Sequence, residues 1–155
     1  MVHKLPAKKL AIRIAGPEDI ATIEELDQLS TSPTRDIHRD MEKYFGSVDP
    51  STHEHTVIFL AEVAGSLAGK AELMLPPAEA LHSIGYIKRV VVHPDFRGQN
   101  IATSLMEYIL TFAHTELHLE AIDLHVWEEN QAAIKLYEKL GFQFQHRELY
   151  YRLPL

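Results

Sequence analysis

The run Val90-Val91-Val92-His93-Pro94-Asp95-Phe96-Arg97-Gly98-Gln99-Asn100-Ile101-Ala102 joins an apolar strand pattern to the start of a helical one through a proline. Amides in the first turn of a helix have no partner inside the helix, and the helix dipole adds positive potential there. Such a junction is suited to receive an anion. Gly98 lets the backbone approach a ligand closely, and Arg97 adds charge beside it. Further along, Tyr137 follows Asn130 two turns later on one helix face. A phenol holds its proton at neutral pH and can pass it to a departing thiolate. An anion cradle and a phenolic acid are the parts needed to move an acyl group off a phosphate-bearing thioester. Each also has a plainer reading: a helix start after a Pro-Asp turn, and an aromatic packing residue on an amphipathic helix.

Bulk properties narrow the classes. A chain of 155 residues is expected to form a single domain over 1–155 with a sizeable core. There is no cysteine, which rules out a disulfide scaffold, a cysteine nucleophile and a thiolate metal site. The formal charge of −7 argues against sequence-blind nucleic-acid binding and suits a cationic substrate. No segment has the apolar length to span a bilayer and the N-terminus lacks a signal-peptide core, so no membrane association and a cytoplasmic location are expected.

The elements that must hold these residues follow from periodicity. Leu10 to Ala15 reads as a strand; Gly16-Pro17-Glu18-Asp19 opens a helix carrying Ile20, Ile23 and Leu26. Ser32-Pro33 is expected to open a second helix through Tyr44, followed by a surface loop from Gly46 to His55. Thr56–Val63 and Ser66–Leu75 read as a hairpin turning at Ala64-Gly65, and Pro76-Pro77 ends it. His82–Val92 is the next strand, more continuously apolar at its end, as for a strand covered on both faces. Gly98–His114 reads as a helix with a buried stripe of Ile101, Leu105, Ile109 and Phe112. Ala121–Trp127 is expected as a strand, Asn130–Leu140 as a helix stopped by Gly141, and Phe142–Leu153 as a last strand or hairpin. The alternation makes a mixed-sheet α/β or α+β domain.

With these elements in order, the chain resembles the GNAT superfamily of acetyl-CoA-dependent N-acetyltransferases. The resemblance rests on the Val90–Ala102 run and on Asn130-Gln131-Ala132-Ala133-Ile134-Lys135-Leu136-Tyr137-Glu138-Lys139-Leu140-Gly141-Phe142. It covers the last half of the chain well and the first half in outline. It implies a mostly antiparallel central sheet of about six to seven strands flanked by about four helices. It also implies acetyl-CoA as co-substrate, with no metal, and a bulge that opens the Val90–Val92 strand. Two departures stand out. The first glycine of the family's cradle is Asn100, the non-glycine residue that best tolerates positive φ. The acid that many relatives carry as general base is absent from Gly85-Tyr86-Ile87-Lys88-Arg89.

On this resemblance the pyrophosphate is expected on amides of Gly98, Gln99, Asn100, Ile101 and Ala102, with Arg97 nearby. The peptide-like pantetheine arm would add to the edge of Val90, Val91 and Val92, with an amide near Val91 stabilising the oxyanion. Tyr137 would be the acid, and Asn130 would reach toward pantetheine, with helix capping as its alternative role. The attacking amine, near pKa ~10.4 when free, must lose a proton. Glu72 is the first candidate base, with Tyr86 and His82 next through bound water; a solvated or structural role competes at each. The acceptor is expected to be a small-molecule or peptide primary amine, held by the first two helices and the Pro76–His82 loop. Lys88 and Arg89 are expected to attract an acidic group or to be solvated strand residues, and Tyr150-Tyr151 suits a homodimer through the last strands.

Two histidine groups compete for attention. His114 and His118 share a helical face, but the glutamate does not directly follow the first histidine as in a zinc protease. His53-Glu54-His55 lies in the expected loop. The rival to an enzyme is an acyl-CoA-binding sensor that keeps the cradle without turnover.

Overall fold

In the computed structural model, which describes residues 9–46 and 54–155, the centre of the sheet is β2 (His55–Val63) and β3 (Ser66–Leu75). Their hairpin turns at Ala64 and Gly65 with φ of 51° and 81°, the positive values a two-residue turn of type I′ requires. β1 (Leu10–Ile14) pairs antiparallel with β2, and β4 (Ile84–Val92) antiparallel with β3. β5 (Ala121–Asp123) closes the order β1-β2-β3-β4-β5 in parallel with β4. In β2 the run Thr56–Ala61 is buried throughout, because both sheet faces are covered.

One face is apolar. α3 (Ile101–Thr115) lies over it with Leu105, Met106 and Ile109 fully buried. Phe59 meets Tyr108 and Phe112 edge-on at 5.9 and 5.5 Å. The other face carries α1 (Ile20–Gln28) and the short α2 (Met41–Phe45), with Ile20, Ile23, Ile37 and Tyr44 packed around Ile58 and Leu60. Register places Lys70 opposite Leu60 and Glu72 opposite Ile58, so two charged side chains enter this second face.

The strand pair β3–β4 slips once. Lys70 faces Val91 and Glu72 faces Lys88, leaving Arg89 and Val90 opposite Ala71 alone. Arg89 has φ of 52°. This is a β-bulge of the kind the family resemblance implied, and it bends β4 away from its neighbour.

The chain divides at His125 into two units, the second being Val126–Leu155. There, α4 (Gln131–Lys139) is capped at its start by Asn130, whose Oδ1 accepts the Ala133 N–H at 3.2 Å. It ends in a Schellman motif: Phe142 N–H donates to the Tyr137 carbonyl and Gly141 N–H to that of Glu138, both at 3.0 Å, with Gly141 at φ of 102°. The Phe142 and Tyr137 rings then meet at 5.8 Å, which fixes the tyrosine on its helix.

Three expectations are corrected. The second helix does not run from Ser32 but is confined to Met41–Phe45. Asp36 accepts the Arg39 N–H, a local alternative to helix, and Arg35 and Ile37 are drawn into the interior. β5 is confined to Ala121–Asp123, ending opposite Tyr86, and does not reach Trp127. Phe142–Leu153 forms no strand, so the sheet has five strands rather than six to seven. An apolar alternation becomes a strand only where a ladder partner takes up its backbone groups. Most of the expected Gly46–His55 loop, with His53 of the histidine group, lies outside the described residues. Among the described residues no helix is long and apolar enough to cross a membrane.

Candidate active site

The end of β4 is anchored by His93, whose N–H donates to the Ala68 carbonyl at 2.8 Å. Its Nδ1 accepts the Asp95 N–H at 3.1 Å and sets the single 3-10 turn Pro94–Phe96. Arg97 is extended and exposed; Gly98 then takes φ of 79°, with nothing within 4 Å of where a Cβ would stand. Asn100 adopts the left-handed conformation, φ 58° and ψ 28°, at the entry to α3. Ser104 N–H donates to the Asn100 carbonyl at 3.0 Å, so the helix begins its bonding there and the amides ahead of it face outward from the helix start. Ile101 is buried and pins the turn to the core, while Gly98, Gln99 and Asn100 are exposed and Ala102 is half-buried.

Earlier along the same strand, the β4–β5 ladder ends at the pair Tyr86 and Asp123. Beyond it, the stretch through Val90, Val91 and Val92 has no partner from β5, leaving a strand edge open to a peptide-like ligand. Gly69 makes the close packing possible. A Cβ there would lie 2.7 Å from the Val91 carbonyl oxygen and 3.2 Å from Ile101 Cγ2.

Glu72 is fully buried, and both its oxygens are taken. Arg35 Nη1 and Nη2 donate to them at 2.6 Å each, and Lys70 Nζ at 2.5 Å. Asp27, at the end of α1, receives Arg35 Nε at 2.9 Å and Lys70 at 2.9 Å. Burial works against the Arg35 charge, yet the Glu72 carboxylate outweighs it and holds the guanidinium pKa above its ordinary value. Lys70 also reaches the Arg89 carbonyl at 3.3 Å, and the Arg89 guanidinium donates to the Pro33 carbonyl at 2.8 Å.

Tyr86 emerges in a different setting. Its hydroxyl lies 2.6 Å from His125 Nδ1, with the two rings 5.4 Å apart. His82 sits at the surface against Glu120 at 3.2 Å. Lys88 is half-buried; burial, then the nearby Lys43 charge, push its ammonium pKa down. The Tyr137 phenol is pushed up by burial, so it holds its proton more firmly. An open depression of about 560 Å³ lies where the end of β3, the Pro76–Ala80 turn, His82 and Ile84 meet Glu54. Among the described residues no group of three or more His, Asp or Glu side chains could hold a metal.

Sequence reasoning missed Asp27, Arg35, Lys70, Gly69 and His125. Two signals were available: charged residues at alternate positions of an apolar strand, and a glycine within it.

Comparison with known proteins agrees with this architecture. The chain is 28% identical over 124 residues to the spermidine N(1)-acetyltransferase of Vibrio cholerae, covering 77% of this chain and 60% of that one. It is 35% identical over 89 residues to the N-terminal acetyltransferase B complex catalytic subunit NAA20 of Arabidopsis thaliana, covering 57% and 48%. The chain thus spans about half the length of the curated relatives it matches. Among solved structures, the aminoglycoside N-acetyltransferase AAC(6')-Iy in complex with CoA superposes with a TM-score of 0.75 at 18% identity, covering 97% and 98%. Glucosamine-6-phosphate N-acetyltransferase from Arabidopsis thaliana gives 0.69 at 20% identity, covering 95% and 100%; at these identities the likeness is one of fold. The family model described as the acetyltransferase (GNAT) family matches residues 20–142, taking in the bulged strand, the turn into α3 and the α4 motif, and the chain belongs to that family.

Proposed function

We propose that this chain binds acetyl-CoA and transfers the acetyl group to a primary amine by direct attack. The observation that carries the reading is the opening of the β4 edge after Tyr86, directly before a turn whose Gly98 and Asn100 both take positive φ. Coenzyme A has a pyrophosphate and a peptide-like arm, which are what a helix-start cradle and an unpaired strand edge accept. The amides from Gly98 to Ala102, with Arg97, hold the pyrophosphate; Val90 and Val92 pair with the arm, and Asn130 offers its amide NH₂ to it. A β4 N–H on the unpaired edge donates to the thioester oxygen as negative charge develops there; the Val91 backbone is turned to β3 across Gly69 and is not that group.

When the amine nitrogen bonds to the acetyl carbon, the carbon–sulfur bond breaks and the thiolate takes the proton of Tyr137. The amine proton leaves through water to Tyr86 and on to His125, since an imidazole is the usual proton acceptor near neutral pH. This relay replaces Glu72 in that role. A fully buried carboxylate that accepts three bonds from Arg35 and Lys70 is closed to an incoming amine, and protonating it would leave buried cations uncompensated. The acceptor enters from the side of α1, α2 and the Pro76–His82 turn.

Calorimetry with acetyl-CoA, and thiol release with a panel of primary amines, test the reading. Tyr137→Phe should lower kcat roughly a hundredfold while leaving acetyl-CoA affinity unchanged. Binding with no thiol release from any amine would instead support the acyl-CoA sensor, and no binding would overturn both.

A further inference from the structure

We propose that Lys70 is a positioning residue: by holding the carbonyl of Arg89, it pins the β4 bulge and keeps the Val90–Val92 edge open to the arm of the cofactor. The inference rests on the acetyl-CoA reading above and concerns a residue that touches neither cofactor nor acceptor.

The buried arrangement is costly. Lys70 and Glu72 are fully buried, and Arg35, Asp27 and Arg89 are nearly so. Taking ions out of water is expensive, and well-packed apolar residues of similar volume are often as stable or more so. Among the described residues the cluster holds three cations against two carboxylates, so it is not even balanced in charge. Arg89 Nη1 is buried with no hydrogen-bond partner. Stability alone is a poor reason for such a group.

Position is a better one. Arg89 is not glycine, yet it holds φ of 52°, a conformation that persists only where its surroundings over-determine it. Two bonds do so: Lys70 Nζ to the Arg89 carbonyl, and the Arg89 guanidinium to the Pro33 carbonyl. The ammonium sets the direction of the Arg89 carbonyl, turning it toward the buried cluster. β5 pairs with β4 in parallel as far as Tyr86 and stops three residues short of that carbonyl. Without the bulge, nothing in the backbone would prevent parallel pairing from running on and occupying the edge the arm needs. The same ammonium binds Asp27 of α1, so the bulge is tied to the helices on the acceptor side.

The test separates the arm from the head of the cofactor and needs no acceptor. Affinities are measured for acetyl-CoA and for 3′-phosphoadenosine 5′-diphosphate, which keeps the phosphates and lacks pantetheine. Lys70→Met removes one partner from Asp27 and from Glu72, so its Tm should fall, and both affinities are measured at a temperature where the variant is folded. It should lose tenfold or more in acetyl-CoA affinity while the head group binds within twofold of wild type. Arg89→Val should show the same split, because a β-branched residue resists positive φ. Arg89→Gly, which keeps that φ and the carbonyl, should retain the arm's contribution within threefold. Equal weakening of both probes, no change in either, or equal losses in Arg89→Gly and Arg89→Val would overturn the inference. If Lys70→Met fails to fold, the two Arg89 variants decide it alone. Wild-type protein that binds neither probe would sink the acetyl-CoA reading itself, an outcome distinct from all of these.

Discussion

The two faces of the sheet differ in what they add to apolar packing. Beneath α3, Phe59, Leu105, Met106 and Ile109 form an apolar layer whose energy comes from area removed from water. Beneath α1 the same strands present Lys70 and Glu72, joined by Asp27, Arg35 and Arg89 in bonds that demand orientation. Close packing tolerates modest changes of shape, whereas a bidentate guanidinium does not. Both faces bury apolar area, and only the one under α1 also encloses charge. The charged face holds the bulge and the segment after α1 in register.

That division can be broken by substitution. Phe59→Ala should cost about 3–5 kcal/mol in denaturant unfolding, with acetyl-CoA affinity unchanged at temperatures where the variant is folded. A parallel loss of affinity would show that the faces are not separable. Gly69→Ala probes a place where the apolar side meets β4, next to Val91 and Ile101. A methyl group 2.7 Å from the Val91 carbonyl must displace backbone, so a cost of about 1–3 kcal/mol should come with weaker acetyl-CoA binding. Unchanged affinity would mean that the Val91 stretch is not part of the site.

The smallest effect concerns an ion pair with a structural role alone. Asp19 accepts Arg13 Nη1 and Nη2 at 2.8 Å each and the Gly16 N–H at 2.9 Å, and the guanidinium holds its carboxyl below the ordinary carboxylate range. A depressed carboxyl pKa contributes stability above the unfolded value, near ~3.9, and that contribution is lost as pH falls through the folded value. Asp19→Asn should flatten the acid limb of the Tm–pH curve below about pH 4 and leave acetyl-CoA binding at neutral pH unchanged. An acid limb equally steep in the variant would place the acid-sensitive group elsewhere.

Local chemistry explains which features were legible. Ser66–Leu75 was readable to the residue because Gly65 and Pro76 bound it on either side. Asn100 was expected to tolerate a turn conformation, and its φ of 58° agrees. Gly141 stops α4 in the expected place because a Schellman motif is written in a few neighbouring residues. Where partners come from distant segments the reading fell short. Glu72 was the first candidate base with a structural role beside it, and only the fold brings Arg35 and Lys70 around it. Tyr86 and His125 meet only because β4 and β5 lie side by side.

Composition and spacing alone determined the central hairpin, the helix start with its exposed amides, and the Tyr137 helix, because each depends on contacts within a few residues. The bulge at Arg89, the early end of the β4–β5 ladder and the enclosure of Glu72 were decided by tertiary structure. Each requires groups far apart in the chain to share one buried space, where an unpaired charge or a misplaced carbonyl is costly enough to select a single arrangement.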